Sequence, residues 1–139
     1  ADVAAAFEPG DHATTYGGQP LATAAARAVL AVMEAEDVPT RATDAGATLT
    51  AGLEELPAVA EVRGLGLLVA AELVPGIDAR RVAAEALDEG LVINAVTPSA
   101  LRLAPSLLVT DDEIDRALRV LAAALDAVVE TTPGLEAPA

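Results

Sequence analysis

The chain has 139 residues, 22 of them acidic and eight basic, the eight all arginine, for a formal net charge of −14. That charge opposes binding to a phosphate backbone, and an aromatic content of 1% leaves little for nucleobases to stack on. The absence of cysteine excludes disulfides, thiolate metal sites and thiol catalysis, and a single histidine, His12, cannot build a multi-histidine metal centre.

Apolar residues make up 53% of the chain, and alanine supplies nearly half of them. Such a composition favours closely packed helices over a thick aromatic core, while recurring Leu, Ile and Val argue against disorder. Every apolar stretch is broken by Arg, Glu or Pro before it could span a bilayer, and no basic segment followed by an apolar one opens the chain. A soluble, cytoplasmic chain without membrane or nucleic-acid partners is expected.

Residues 1–19 read as an irregular lead-in: Ala1 to Ala6 have helical composition, and Glu8, Pro9, Gly10 and Asp11 break it. Gly17 and Gly18 mark a bend, and Pro20 suits the first position of a helix running to about residue 36. Val38-Pro39 punctuates the chain, and Thr40 is expected to cap a second helix to about residue 56, with Leu49, Leu53 and Leu56 on one stripe. Residues 59–63 and 67–74 are strand candidates around Gly64-Leu65-Gly66, and Pro75-Gly76 makes the next turn. Asp78 is placed to cap a helix to Glu89, with Gly90 just past its end. Residues 91–96 and 100–104 read as two further strands around Thr97-Pro98-Ser99. Thr110 and Glu113 form a capping box, Asp111 and Asp112 lie in the positive first turn, and Ile114, Leu118, Leu121, Leu125 and Val128 repeat on one face. Pro133 and Pro138 bound a tail expected to fray. The order predicts an α+β domain, a small sheet with helices packed on it, preceded by a helix that belongs to something else.

Few residues point to chemistry on their own. Gly64-Leu65-Gly66 lacks the third glycine of a dinucleotide loop, where Val69 stands, and leads into a strand, so a tight turn is expected. Glu54-Glu55 reads as a solvated face, and Asp111-Asp112-Glu113 is accounted for by capping. His12 is a general base by type, but no hydroxyl with a partner acid stands beside it in sequence, so a loop histidine bonded to backbone is the plainer reading. Thr14 and Thr15 offer hydroxyls and backbone N–H groups in a glycine-rich turn, which can hold phosphate without lysine or can simply be a turn. Arg102, set among Ala100, Leu101, Leu103 and Ala104, needs an anionic partner, either a carboxylate of the protein or one of a ligand. Asn94 in the preceding strand could orient such a group or merely end a ladder.

The segment HATTYGGQPLA resembles the HG(S/T)TFGGNPLA signature of class III pyridoxal-phosphate-dependent aminotransferases, and VRGLGLLVAAEL, GLVINA and LRLAPSL follow in the family order. The likeness covers nearly the whole chain, and GLVINAVTPSALRLAPSL is closest to the acetylornithine aminotransferase subfamily. Four positions depart from the pattern: Ala13 for glycine, Tyr16 for phenylalanine, Gln19 for asparagine and Ser106 for a second proline.

The resemblance implies the C-terminal part of a fold-type I enzyme: 1–19 as the end of the large domain, 20–36 as a linking helix, 37–132 as a small domain with a mostly antiparallel sheet, and 133–139 as a flexible tail. It implies that Thr15 reaches the phosphate of pyridoxal phosphate across a homodimer interface, that Thr14 touches the amino-acid substrate there, and that Arg102 grips the substrate carboxylate. The cofactor would be bound mainly by the large domain. No catalytic residue is expected in the chain itself, because the family's Schiff-base lysine has no counterpart in a sequence without lysine. The implied reaction is amino transfer between N2-acetyl-L-ornithine and 2-oxoglutarate, in arginine biosynthesis, by the full-length parent. Ornithine, succinylornithine or 4-aminobutyrate as donor is the alternative within the family. A stand-alone, non-catalytic acidic interaction domain is the alternative outside it.

Overall fold

The computed structural model describes residue 8 and residues 14–132. The helical reading of 1–6, His12, Ala13 and the tail after 132 lie outside the described residues. Eight elements follow in the order helix, helix, strand, strand, helix, strand, strand, helix. Two compact units result, one to Asp37 and one from Val38 onward.

In the first unit Pro20 opens α1 (Pro20–Ala35) at its first position, where a missing N–H costs nothing. Gln19 precedes it without a side-chain cap, and none of the helix's 16 residues is buried. Leu21, Val29, Leu30 and Val32 stand exposed along it.

The second unit begins with α2 (Val38–Glu54), two residues ahead of the expected cap at Thr40. Pro39 has the φ and the absent donor that suit a first turn, so the helix nucleates there. Next come β1 (Val59–Leu65) and β2 (Leu68–Leu73), an antiparallel hairpin that closes through Gly66 at φ +54°. The tight turn expected at Gly64-Leu65-Gly66 falls on Gly66-Leu67 instead, because Gly64 and Leu65 pair with Val69 and Leu68 as the end of β1. Asp78 caps α3 (Ala79–Asp88) by accepting from the Arg80 N–H at 2.9 Å.

The strand expected over 91–96 shrinks to β3 (Asn94–Ala95). Gly90, at φ +85°, donates to the Leu87 carbonyl at 2.9 Å, and Leu91 donates to the Ala86 carbonyl at 2.8 Å. These two bonds close the end of α3 in a Schellman motif, so the Leu91 amide is spent on the helix before the sheet can use it. β4 (Ala100–Leu103) then pairs with both β3 and β2, giving an antiparallel sheet of order β1-β2-β4-β3.

The chain closes with α4 (Asp111–Glu130), started by a complete capping box. Glu113 N–H donates to Thr110 Oγ1 at 3.3 Å, and Thr110 N–H donates to Glu113 Oε2 at 2.9 Å. At the other end Arg81 donates to the hydroxyls of Thr131 and Thr132 at 2.7 and 3.1 Å, tying α3 to the last turn. Ile114, Leu121, Leu125 and Val128 bury their face against Leu49 and Leu53 of α2 and Val69, Ala71 and Leu101 of the sheet. The strands alternate: Val69, Ala71, Leu73, Leu101 and Leu103 turn to this core, while Leu68 and Arg102 lie on the other face, which no described helix of this unit covers.

Candidate functional site

The candidate residues fall in both units, Thr14 and Thr15 in the first and Arg102 in the second. In the first, residues 14–19 form a turn whose bonds are local. Thr14 Oγ1 accepts from the Gly17 N–H at 3.2 Å, and Gln19 Nε2 donates to the Thr15 carbonyl at 3.0 Å. A Cβ on Gly17 would lie 2.2 Å from Thr14 Cγ2, so a side chain there would push Thr14 out of this arrangement, and Gly18 adopts φ +76°. Gln19 therefore braces the turn instead of capping α1.

The Thr14 hydroxyl keeps its own proton to donate, since only its oxygen is engaged. Thr15 is exposed, and its hydroxyl has no hydrogen-bond partner among the described residues. An exposed turn with an uncommitted hydroxyl fits one edge of a phosphate group, supplying donors without charge. The bulk of any such group's contacts must come from elsewhere.

In the second unit Arg102 occupies the middle of β4, on the uncovered face of the sheet. The register places Ala70 of β2 on one side of it and Asn94 of β3 on the other. Its side chain is exposed and makes no ion pair or hydrogen bond with any described residue. Of the two partners expected from sequence, a carboxylate of the protein is not there to meet it among these residues. An apolar recess lined by Leu49, Leu91, Leu103, Val109 and Ile114 lies on the helix side of the sheet, away from Arg102.

Beside Arg102 the structure adds residues that the sequence did not single out. Glu72, half-buried on β2, accepts from Ser99 Oγ at 2.5 Å and from Arg63 Nη2 at 3.0 Å. The Ser99 hydrogen bond first, and the Arg63 guanidinium after it, hold the Glu72 carboxyl below the usual glutamate range. Folding the hairpin on paper about Gly66-Leu67 would have set Arg63 opposite Ala70 and so brought Glu72 within its reach. The Glu113 carboxyl is also held low, by the Thr110 backbone N–H and then its hydroxyl, which is a property of the helix cap. Among the described residues no three of His, Cys, Asp and Glu converge to hold a metal, and no helix is long and apolar enough to cross a membrane.

The family model for class-III aminotransferases matches residues 1–125. Among curated relatives, the acetylornithine aminotransferase of Thermosynechococcus vestitus is 44% identical over 87% of this chain and 31% of its own length. That of Mycolicibacterium smegmatis is 45% identical over 88% of this chain and 32% of its own. Among solved structures, the ornithine aminotransferase of Toxoplasma gondii, described with partial occupancy of PLP at its active site, superposes with a TM-score of 0.75. It is 33% identical and is covered over 94% of this chain and 32% of its own. The chain thus spans about a third of the length of the relatives it matches.

Proposed function

The chain belongs to the class III aminotransferase family, and from that premise we propose that it is the C-terminal part of a pyridoxal-phosphate-dependent transaminase. Its parent would move an amino group from N2-acetyl-L-ornithine to 2-oxoglutarate, as a cytoplasmic homodimer serving arginine biosynthesis. The observation that carries this reading is Arg102: an exposed guanidinium without a partner among the described residues, on the open face of a sheet. Its planar fork suits bidentate binding of the carboxylate that both substrates share.

Each residue then has a task its own chemistry permits. Arg102 binds and orients the substrate carboxylate. Thr14 donates its hydroxyl proton to the substrate while its oxygen keeps the turn closed on Gly17. Thr15 donates from its hydroxyl and N–H to the cofactor phosphate, across the dimer interface. When bound, pyridoxal phosphate supplies the electron-accepting ring on which amino groups are exchanged. The lysine that must hold it and move protons would come from the part of the enzyme before this chain, as would most of its binding surface; the chain alone should be inactive.

Support for the end of the large domain, a linking helix and a small domain comes from α1, which has no buried residue. A helix with Leu21, Val29, Leu30 and Val32 exposed suits a larger protein better than a stand-alone acidic module. The likeness to two acetylornithine aminotransferases favours that donor, and the likeness to an ornithine aminotransferase keeps ornithine as the second. Half-reactions of the full-length enzyme with acetylornithine, ornithine, succinylornithine and 4-aminobutyrate decide between them. Fastest conversion of acetylornithine is expected, and a clear preference for 4-aminobutyrate would overturn the assignment.

A further inference from the structure

Glu72 stands diagonally from two arginines at once. Arg63 of β1 and Arg102 of β4 both pair with Ala70 of β2, and Glu72 follows two residues along the same strand on the same face. Diagonal neighbours in a sheet lie about 7–8 Å apart, within reach of long side chains. The methyl group of Ala70 is too small to wall one arginine off from the other. Nothing in the strand register therefore favours one guanidinium over the other as the partner of Glu72.

The observed pairing is one-sided. Arg63 holds Oε2 at 3.0 Å and Ser99 holds Oε1 at 2.5 Å, so both carboxylate oxygens have fixed donors. Arg102 has no partner among the described residues. We propose that Arg63, together with Ser99, is a positioning residue that keeps Glu72 off Arg102 and so leaves the Arg102 guanidinium open to a carboxylate ligand. Released, Glu72 would be a tethered competitor for the same guanidinium, present at the high effective concentration that tethering confers. This inference rests on Arg102 being the group that binds the substrate carboxylate.

The test is steady-state kinetics of the full-length enzyme, with thermal melts to confirm folding. Arg63→Met should raise KM for both the amino acid and the oxo acid about tenfold, with kcat within about twofold. Adding Glu72→Gln to it should restore KM, and Arg63→Lys, which keeps the ion pair, should retain it. An unchanged KM in Arg63→Met, or a raised KM that Glu72→Gln fails to reverse, overturns the proposal. If Arg63→Met does not fold, Ser99→Ala takes its place: a rise in KM reversed by Glu72→Gln supports the proposal, and an unchanged KM overturns it. Arg102→Leu separates the two levels. A raised KM there with a silent Arg63→Met sinks only the positioning role, whereas an unchanged KM in Arg102→Leu sinks the carboxylate reading itself.

Discussion

Gly46 in the middle of α2 lies directly against the backbone of Gly66 in the hairpin turn: a Cβ on Gly46 would come within 2.3 Å of the Gly66 carbonyl oxygen. The helix and the β1–β2 turn can approach this closely only because Gly46 lacks a side chain; Gly66 is glycine for a different reason, its φ of +54°. Gly46→Ala therefore sets two effects against each other. Alanine favours the helix by about 1 kcal/mol, but the new methyl group meets rigid backbone and costs about 1–3 kcal/mol. A net destabilisation of up to about 2 kcal/mol is expected in denaturant unfolding. Gly52→Ala is the matched comparison, since its methyl would meet the side chain of Leu118, with Cδ1 at 2.2 Å, and not rigid backbone, so it should cost less than Gly46→Ala.

The capping box gives a pH-dependent expectation. Bonds from Thr110 lower the folded-state pKa of Glu113 relative to the unfolded chain, so the carboxylate stabilises the fold above the ordinary glutamate value. That contribution is lost as pH falls through the lower folded value. Glu113→Gln should flatten this part of the stability–pH curve. Thr110→Ala should cost about 1 kcal/mol at neutral pH through the lost cap. Urea midpoints measured from pH 7 down to pH 3 read both effects.

Arg102→Leu in the full-length enzyme should raise KM for amino-acid and oxo-acid substrates alike, by about 10- to 100-fold if a charge-assisted pair worth about 1.5–3 kcal/mol is lost. Cofactor content, read from absorbance, should stay the same. An unaltered KM would make Arg102 an ordinary surface arginine.

Thr15→Val should leave the turn intact, because the bonds that hold it run through Thr14 Oγ1, the Gly17 N–H, the Thr15 carbonyl and Gln19. Cofactor retention on dialysis should weaken by about 1–3 kcal/mol if the hydroxyl donates to the phosphate. Unchanged retention would return Thr15 to a plain turn residue.

The element order was legible because its boundaries are written in residues with strong local effects. Pro20, Asp78, Gly90 and the Thr110–Glu113 box all act within one helical turn, and each does so in the structure. The family resemblance was legible for the same local reason, in consecutive motifs. What sequence did not yield depends on partners distant along the chain. Residues 91–93 look like strand by composition, yet the Leu91 amide goes to Ala86. Gly46 reads as a mild helix defect until Gly66 is seen against it. Glu72 becomes notable only when the register sets it between Arg63 and Arg102.

The shortness of β3 also bears on how the sheet meets other chains. At that edge only Asn94 and Ala95 run as strand, so an incoming segment finds almost no ladder to extend. At the opposite edge β1 is longer, but its register slips between Val59 and Glu61, and Glu61 and Arg63 put charge along it. Strand addition is thus discouraged at both borders of the four-stranded sheet by geometry and charge.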